Sequence, residues 1–452
     1  MNTRKITGWS VVIALGGLLF GIDTAVISGA EQAIQSHWNL DVFEHGLTVS
    51  IALMGTVVGA LLGGIPTDLL GRKKTLFWIA LLYLVSAIGS ALAFDWYSFL
   101  FFRLIGGFGV GASSVTAPMY ISEISPATHR GRLVAMFQIN IVLGILLAYL
   151  SNYLLRDAGE SSWRWMLGVE AFPALAFMIL VLFVPESPRW LIIKRDDIES
   201  ARRTFAAINP ETANAEVDAI VKSHNTAQRK QSALFSKRNR LPITLAVLIA
   251  AFNQLSGINA IIYYAPRIFE MARFGKDAAL LSTTGIGVTN LVFTLLALSI
   301  IDRYGRKKLM LIGSVGLIIT LGLLANAFYQ SDFAGYAVPV YLFAFIAFFA
   351  VSQGAVIWVF ISEIFHNEVR AKGQSLGSFT HWLLASVVAF SFPYISGVLG
   401  GGHSFVIFAG MMVLQLIFVI RLMPETKGQA LERVQDTLIE QNKNQFNLPG
   451  KS

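Results

Sequence analysis

Twelve separate runs of predominantly apolar residues punctuate this chain, and each is long enough, at about 20 residues, to cross a bilayer. They fall at 9–29, 46–66, 75–94, 98–121, 132–154, 163–184, 242–268, 281–301, 309–329, 337–361, 373–398 and 403–423. Each is apolar on every face, whereas the strands of a membrane β-barrel alternate apolar and polar residues. Composition agrees: 55% of residues are hydrophobic and 14% are charged, against about 25% charged in a soluble domain. The expected fold is all-α and integral to the membrane, with twelve transmembrane helices. The first run is not read as a cleaved signal, because it carries Asp23 and no clear small-residue cleavage site.

Lys and Arg set the expected orientation. The gaps and run ends on one side of the membrane hold only Arg156, Arg164, Arg267, Arg273 and Lys276, and Arg103 lies well inside a run. All other Lys and Arg sit on the opposite side with both ends of the chain, so both termini are expected in the cytoplasm. The net charge of +8 is therefore a matter of topology, and no nucleic-acid partner is expected. With Cys 0, disulfides, thiolate metal sites and Cys nucleophiles are all excluded. The one long gap, 185–240, contains segments such as Asp197–Ile208 and Ala213–Lys222 that read as short amphipathic helices. A further short helix is expected near Leu431–Glu440. The terminal Gly450-Lys451-Ser452 lacks both the upstream glycine and the following helix of a phosphate-binding loop.

The two halves repeat one another. Asp68 to Lys74 recurs as Asp302 to Lys308, Ser122-Glu123-Ile124 as Ser362-Glu363-Ile364, and Arg130 as Arg370. Pro185-Glu186-Ser187 recurs as Pro424-Glu425-Thr426, and Gly21-Ile22-Asp23 as Gly257-Ile258-Asn259, all at offsets of 234 to 240 residues. Five matches in one order at nearly one offset mark a duplication of a six-helix unit. The expected organisation is 1–184 and 241–424 as the two six-helix halves, 185–240 as a cytoplasmic loop and 425–452 as a cytoplasmic tail. A parallel repeat of this kind is expected to hold a substrate between its halves near the midplane.

The repeated charges lie at cytoplasmic helix ends. Either they are solvated anchors, or Glu123, Glu186, Glu363 and Glu425 pair with Arg72, Arg130, Arg306 and Arg370. Pairs worth about 0–1 kcal/mol each would suit a latch that holds the cytoplasmic side shut in one state and breaks in another. Asp68, Arg189 and Asp302 complete this candidate cytoplasmic gate.

At this point the residues resemble a family. The segments are Gly63-Gly64 with Asp68, Gly71, Arg72 and Lys73; Pro118-Met119-Tyr120 with Ser122, Glu123, Pro126, Arg130 and Gly131; Pro185 to Leu191; Gln254-Leu255-Ser256-Gly257 with Asn259, Tyr263 and Tyr264; and Pro424 to Gly428. Together they resemble the signature set of the sugar porters of the major facilitator superfamily over residues 9–430, closest in pattern to bacterial proton-coupled xylose and hexose symporters. The resemblance implies the major facilitator fold and a monosaccharide, pentose or hexose, as the transported molecule.

Ionisable residues inside a bilayer are costly and point to function. Away from the helix ends there are three: Asp23, Arg103 and Glu170. At ~1.5 Å per residue they all lie about 8–10 Å from the outer ends of their runs. Two carboxyls and one guanidinium leave a surplus negative charge, which a proton would neutralise. Asp23 is therefore expected to pair with Arg103 when ionised and to part from it when protonated, unless the pair is a static one pinning two helices. The resemblance favours the switch, since proton-coupled sugar symporters carry Asp and Arg at the matching positions and uncoupled facilitators typically lack this Asp.

A sugar needs side chains that both donate and accept hydrogen bonds, together with aromatic plates. Midplane candidates are the amides Gln138, Gln254, Asn259 and Asn290, the aromatics Phe20, Tyr263, Trp358 and Trp382, and His381. Gln254, Asn259 and Tyr263 lie near one face of a helix that Ser256-Gly257 can break. The resemblance singles out Gln138, Gln254, Asn259, Asn290 and Trp358 as sugar contacts. It also marks departures. Asn253 stands where the family usually has Gln, His381 where some members have Asn or Gln, and residues 352–357 lack the prolines that hinge the tenth helix in facilitators.

The reading is a secondary transporter that imports a monosaccharide by proton symport through alternating access. An uncoupled facilitator of the same fold and a transport-inactive sugar sensor are the alternatives. An enzyme is not expected, since the helices hold no His-Glu-x-x-His or Ser/His/Asp grouping. No cofactor or metal is expected, a proton gradient being the driving force. The partners expected are the monosaccharide, the proton and the lipid bilayer, for a functional monomer in a bacterial inner membrane.

Overall fold

A computed structural model describes residues 3–125, 130–227, 233–331, 333, 335–366 and 369–427. The helix expected near Leu431–Glu440, the terminal Gly450-Lys451-Ser452, Pro126 and Gly428 lie outside these residues, as does the side chain of Arg130. The described residues form helices and no strands. Twelve helices are long and apolar enough to span a membrane. Spans 1 to 6 are Arg4–His37, Val42–Leu62, Arg72–Ala91, Trp96–Ile124, Gly131–Leu155 and Ser162–Val181. Spans 7 to 12 are Arg240–Met271, Lys276–Tyr304, Arg306–Gln330, Ala337–Ile364, Arg370–Val398 and Gly401–Arg421.

The chain divides into two units, Met1–Lys230 and Gln231–Ser452. Within the first, span 1 packs along span 5, span 2 along span 4, and span 3 against span 6. Within the second, span 7 packs along span 11, span 8 against span 10, and span 9 along span 12. The pairing pattern is thus repeated, as the duplicated motifs imply. The long loop divides between the units rather than standing alone. Its helices Pro188–Arg195, Ile198–Ile208 and Ala213–Ala227 fall in the first, where Trp190, Phe205 and Ile208 are buried. Asp197 caps the second of these helices through the Ser200 N–H.

Span 1 runs eight residues beyond its expected end, so Asp23 lies much farther from the end of its helix than expected. The polar stretch after Gly29 looks like an exit into water, yet Ala30, Glu31 and Ile34 are fully buried. Glu31 sits 2.8 Å from His45 Nε2 on span 2, both side chains being inaccessible. Beyond it Trp38 packs on Phe99 and Trp163.

Two spans are broken. Span 7 splits at Gly257, whose φ of +83° only glycine adopts readily; a Cβ there would strike the Phe408 ring. Span 10 carries a π-helix over Ala350–Gly354, a deformation found mostly as single turns inside α-helices, often at functional sites. The missing prolines thus do not leave span 10 uniform.

Candidate functional site

In the first unit three charged groups meet in an apolar interior. Arg103 Nη1 donates to Asp23 Oδ1 at 2.6 Å, and Nη2 donates to the Asp23 carbonyl at 3.1 Å. Asp23, Arg103 and Glu170 are each 2% exposed, so water offers them almost nothing. Glu170 has no ion pair among the described residues, and its Oε1 lacks a hydrogen-bond partner. It stands at the joint between helices Ser162–Gly168 and Ala171–Val181, where Pro173 cannot donate to the helix ladder. Span 4 approaches span 1 closely at Gly106, where a Cβ would lie 3.4 Å from Asp23 Oδ1 and press on Ser86. Tyr83, wholly buried, interacts electrostatically with both carboxyls. An isolated aromatic in an apolar run gives no sequence signal, so Tyr83 was not among the expected residues. Glu31 and His45 were missed because both lie near helix ends.

The second unit holds a polar network centred on Gln254. Its Oε1 accepts from Asn259 Nδ2 at 2.8 Å, and its Nε2 donates to Asn253 Oδ1 at 2.9 Å. The same nitrogen lies 3.2 Å from the ring nitrogens of His381. Trp358 and Trp382 flank the His381 ring, with centroids 5.0 and 4.7 Å away. Asn253 also donates to the Gln353 carbonyl at 3.4 Å, tying span 7 to the π-helix of span 10. The shorter Asn thus serves the packing of this network, a role that its place in the motif does not reveal.

The other expected sugar contacts lie on spans 1, 5, 7 and 8. Asn290 accepts from Thr294 on its own helix at 3.4 Å. Tyr263 is buried on span 7 beside Tyr264, whose hydroxyl donates to the Ala389 carbonyl. In the first unit Phe20 is buried on span 1. Gln138 is half-buried on span 5, with no hydrogen bond from its amide to any described residue.

The repeated charges form two matching clusters. Arg72 Nε and Nη2 each donate to Glu123 at 2.9 Å, and Nη1 reaches Asp68 at 3.3 Å. Arg306 Nη2 donates to Glu363 at 2.8 Å and Nη1 to Asp302 at 3.0 Å. Ser187 and Thr426 hydroxyls bond Glu123 and Glu363 in turn.

Glu186 and Glu425 bind backbone donors, which the expected pairing with arginine does not include. Glu186 accepts the backbone N–H groups of Arg72 and Lys73 at 2.9 and 3.1 Å, and Glu425 those of Arg306 and Lys307 at 3.0 and 3.1 Å. These donors are the free N–H groups of a helix start, which the side-chain charges of a sequence do not display. Gly71 and Gly305, at φ +95° and +87°, make the approach possible, because a Cβ on either would meet the carboxylate. Burial raises the Glu186 carboxyl above its ordinary range, against the pull of the Ser187, Lys73 and Arg72 backbone donors.

Arg370 departs from the expected pairing. Its Nε donates to the Phe365 carbonyl at 3.3 Å and it has no carboxylate partner among the described residues. Arg189 is exposed and likewise forms no ion pair among them.

Comparison with known proteins agrees with this geometry. The family model for sugar (and other) transporters matches residues 9–438. The chain is 38% identical over 434 residues to the arabinose-proton symporter of Bacillus subtilis (strain 168), covering 94% of this chain and 93% of the relative. It is 35% identical over 472 residues to the D-xylose-proton symporter of Escherichia coli (strain K12), covering 96% of each. A partially occluded inward-open structure of the xylose transporter XylE from E. coli superposes with a TM-score of 0.85 at 35% identity, over 95% of this chain and 100% of that one. Duplicated halves, repeated charge clusters, a broken seventh span and matches along almost the whole length lead to one assignment: this chain belongs to the sugar transporter family, the sugar porters of the major facilitator superfamily.

Proposed function

We propose that this protein imports a monosaccharide together with a proton, by alternating access, across a bacterial inner membrane with both termini in the cytoplasm. The observation that carries the proton coupling is the buried Asp23–Arg103 pair beside Glu170, which forms no ion pair among the described residues. An ionised Asp23 neutralises Arg103; a protonated one releases it, and the guanidinium then has the nearby Glu170 as its remaining acidic neighbour. With Glu170 also ionised the three groups carry one surplus negative charge; the proton that binds Asp23 removes it and leaves the Arg103 charge matched by Glu170, an unmatched buried charge being strongly unfavourable. Arg103 holds its own proton throughout. The arabinose- and xylose-proton symporters among the relatives support this reading.

Sugar recognition is assigned to Gln138, Gln254, Asn259 and Asn290 as donors and acceptors. Trp358, Trp382, Phe20 and Tyr263 supply apolar faces and His381 a polar edge. Asn259 donates to Gln254 at 2.8 Å, so a sugar hydroxyl exchanges with a bond between side chains that hold each other in place. The paired Arg72–Glu123 and Arg306–Glu363 clusters, with Asp68, Asp302, Glu186 and Glu425, stabilise the cytoplasmic ends in one state. Arg130, Arg189 and Arg370 belong to the same gate in this reading.

The test is uptake of a labelled monosaccharide panel into proteoliposomes with and without an imposed proton gradient. Accumulation of one sugar only under the gradient supports symport. Equilibration at the same rate in both conditions would identify an uncoupled facilitator.

A further inference from the structure

On the first unit a groove of about 880 Å³ opens beside the charged end of span 3. Lys73, Lys74, Phe77 and Trp78 line one side, and Trp190 and Arg195 of the helix Pro188–Arg195 line the other. The proton and sugar sites described above use none of these side chains.

The charge balance of the groove favours an anion. Lys74 and Arg195 are exposed, and neither makes a hydrogen bond or ion pair to a described residue. The Arg195 guanidinium lies 5.2 Å over the Trp190 ring. Two carboxylates also line the groove, but each is engaged. Glu186 accepts backbone N–H groups of Arg72, Lys73 and Ser187, and Asp197 caps Ser200. Lys73 Nζ is held by the Leu182 carbonyl at 2.7 Å, which leaves Lys74 and Arg195 as the cations facing outward.

The rim determines what kind of anion fits. Trp78 is 54% exposed and Leu182 is 52% exposed, and both border the groove. Phe183 beside them is 76% exposed. In a membrane protein such surface faces acyl chains, and an exposed Trp at a span end suits the headgroup level. A ligand here meets two cations at one end and an apolar wall at the other.

We infer that this groove binds the headgroup of an anionic phospholipid, its phosphate between Lys74 and Arg195 and its acyl chain along Trp78 and Leu182. The second half supplies a built-in control. Lys308 repeats Lys74, but Ile312 replaces Trp78, Gln429 replaces Trp190 and Val434 replaces Arg195. The duplicated motif without these two tryptophans and this arginine is thus found in the same chain.

The inference rests on the protein spanning a membrane and is independent of whether it moves protons. The experiment is native mass spectrometry of the full chain released from detergent, titrated with phosphatidylglycerol or phosphatidylcholine of identical acyl chains. The expected result is one phosphatidylglycerol retained in preference to phosphatidylcholine. Lys74→Gln with Arg195→Gln should weaken it about 25-fold, from about fivefold per cation, while Lys308→Gln leaves it unchanged. Both substituted side chains are exposed, so the variant folds, and unaltered sugar binding checks this. Equal phosphatidylglycerol binding by the double variant and the parent, or equal binding of the two lipids, overturns the inference. So does displacement of the lipid by millimolar inorganic phosphate, which would mark a site for soluble anions.

Discussion

Asp23→Asn separates coupling from binding. The substitution keeps the shape of the side chain and removes its charge. Arg103 would retain the Asp23 carbonyl at 3.1 Å and lose its 2.6 Å charge-assisted bond. A buried cation stripped of its partner costs about 3–5 kcal/mol, unless the Glu170 carboxylate replaces it. Asp23→Asn is therefore expected to fold, and Asp23→Asn with Glu170→Gln to melt well below either single variant. The functional magnitude follows from the gradient. One pH unit is worth about 1.4 kcal/mol per proton, so a one-proton symporter in vesicles clamped at zero potential concentrates its sugar at most about tenfold. For Asp23→Asn the ratio should fall to about one, while sugar exchange between the two sides, which needs no net proton movement, continues. The assay is labelled-sugar accumulation and counterflow in the same proteoliposomes. Tenfold accumulation by Asp23→Asn would refute the assignment of Asp23 as the coupling carboxyl.

Gln254→Ala, Asn259→Ala and Gln138→Ala should each weaken sugar binding by about 1–3 kcal/mol per lost partner, read by titration calorimetry; binding within twofold of the parent in all three would move the site elsewhere. Gln254→Ala should also lower the melting temperature more than Gln138→Ala, because it strands Asn253 and Asn259 whereas Gln138 bonds no described residue. Glu363→Gln should shift the balance between transport states roughly fivefold for about 1 kcal/mol lost, without loss of expression; cysteines introduced at the cytoplasmic mouth of this Cys-free chain report it, and unchanged thiol accessibility would mean that the cluster does not gate. Gly305→Ala forces a side chain into a backbone conformation that costs about 1–3 kcal/mol and presses it on Glu425, so its thermal stability should drop; a melting temperature equal to the parent's would contradict the role given to this glycine.

The twelve spans were legible because apolar length alone identifies them, and the duplication because charged motifs repeat at one offset. The break at Ser256-Gly257 was legible from glycine in an amide-bearing helix. The end of span 1 was not, since Glu31 reads as solvated until His45, on another helix, is known to cover it. Nor were the partners of Glu186 and Glu425, because backbone N–H groups carry no mark in a sequence. The Asp23–Arg103 pair could be read from scarcity: few intramembrane charges leave few possible partners. The hub role of Gln254 needed the structure, as the rotation of span 11 that brings His381 to it is set by packing.

The π-helix at Ala350–Gly354 acts on span 10 as a dislocation acts in a crystal: it adds a step and rephases everything after it. Each residue of an α-helix turns the chain by about 100°, so one surplus residue reorients the whole remainder of the span by that angle. Trp358 meets the His381 ring in this offset phase, and Glu363 reaches Arg306 from the same rotated segment. A wandering of the surplus turn along the helix would therefore reset the azimuth of the ring and of the carboxylate together, linking the centre of the bundle to its charged end through a single helical phase.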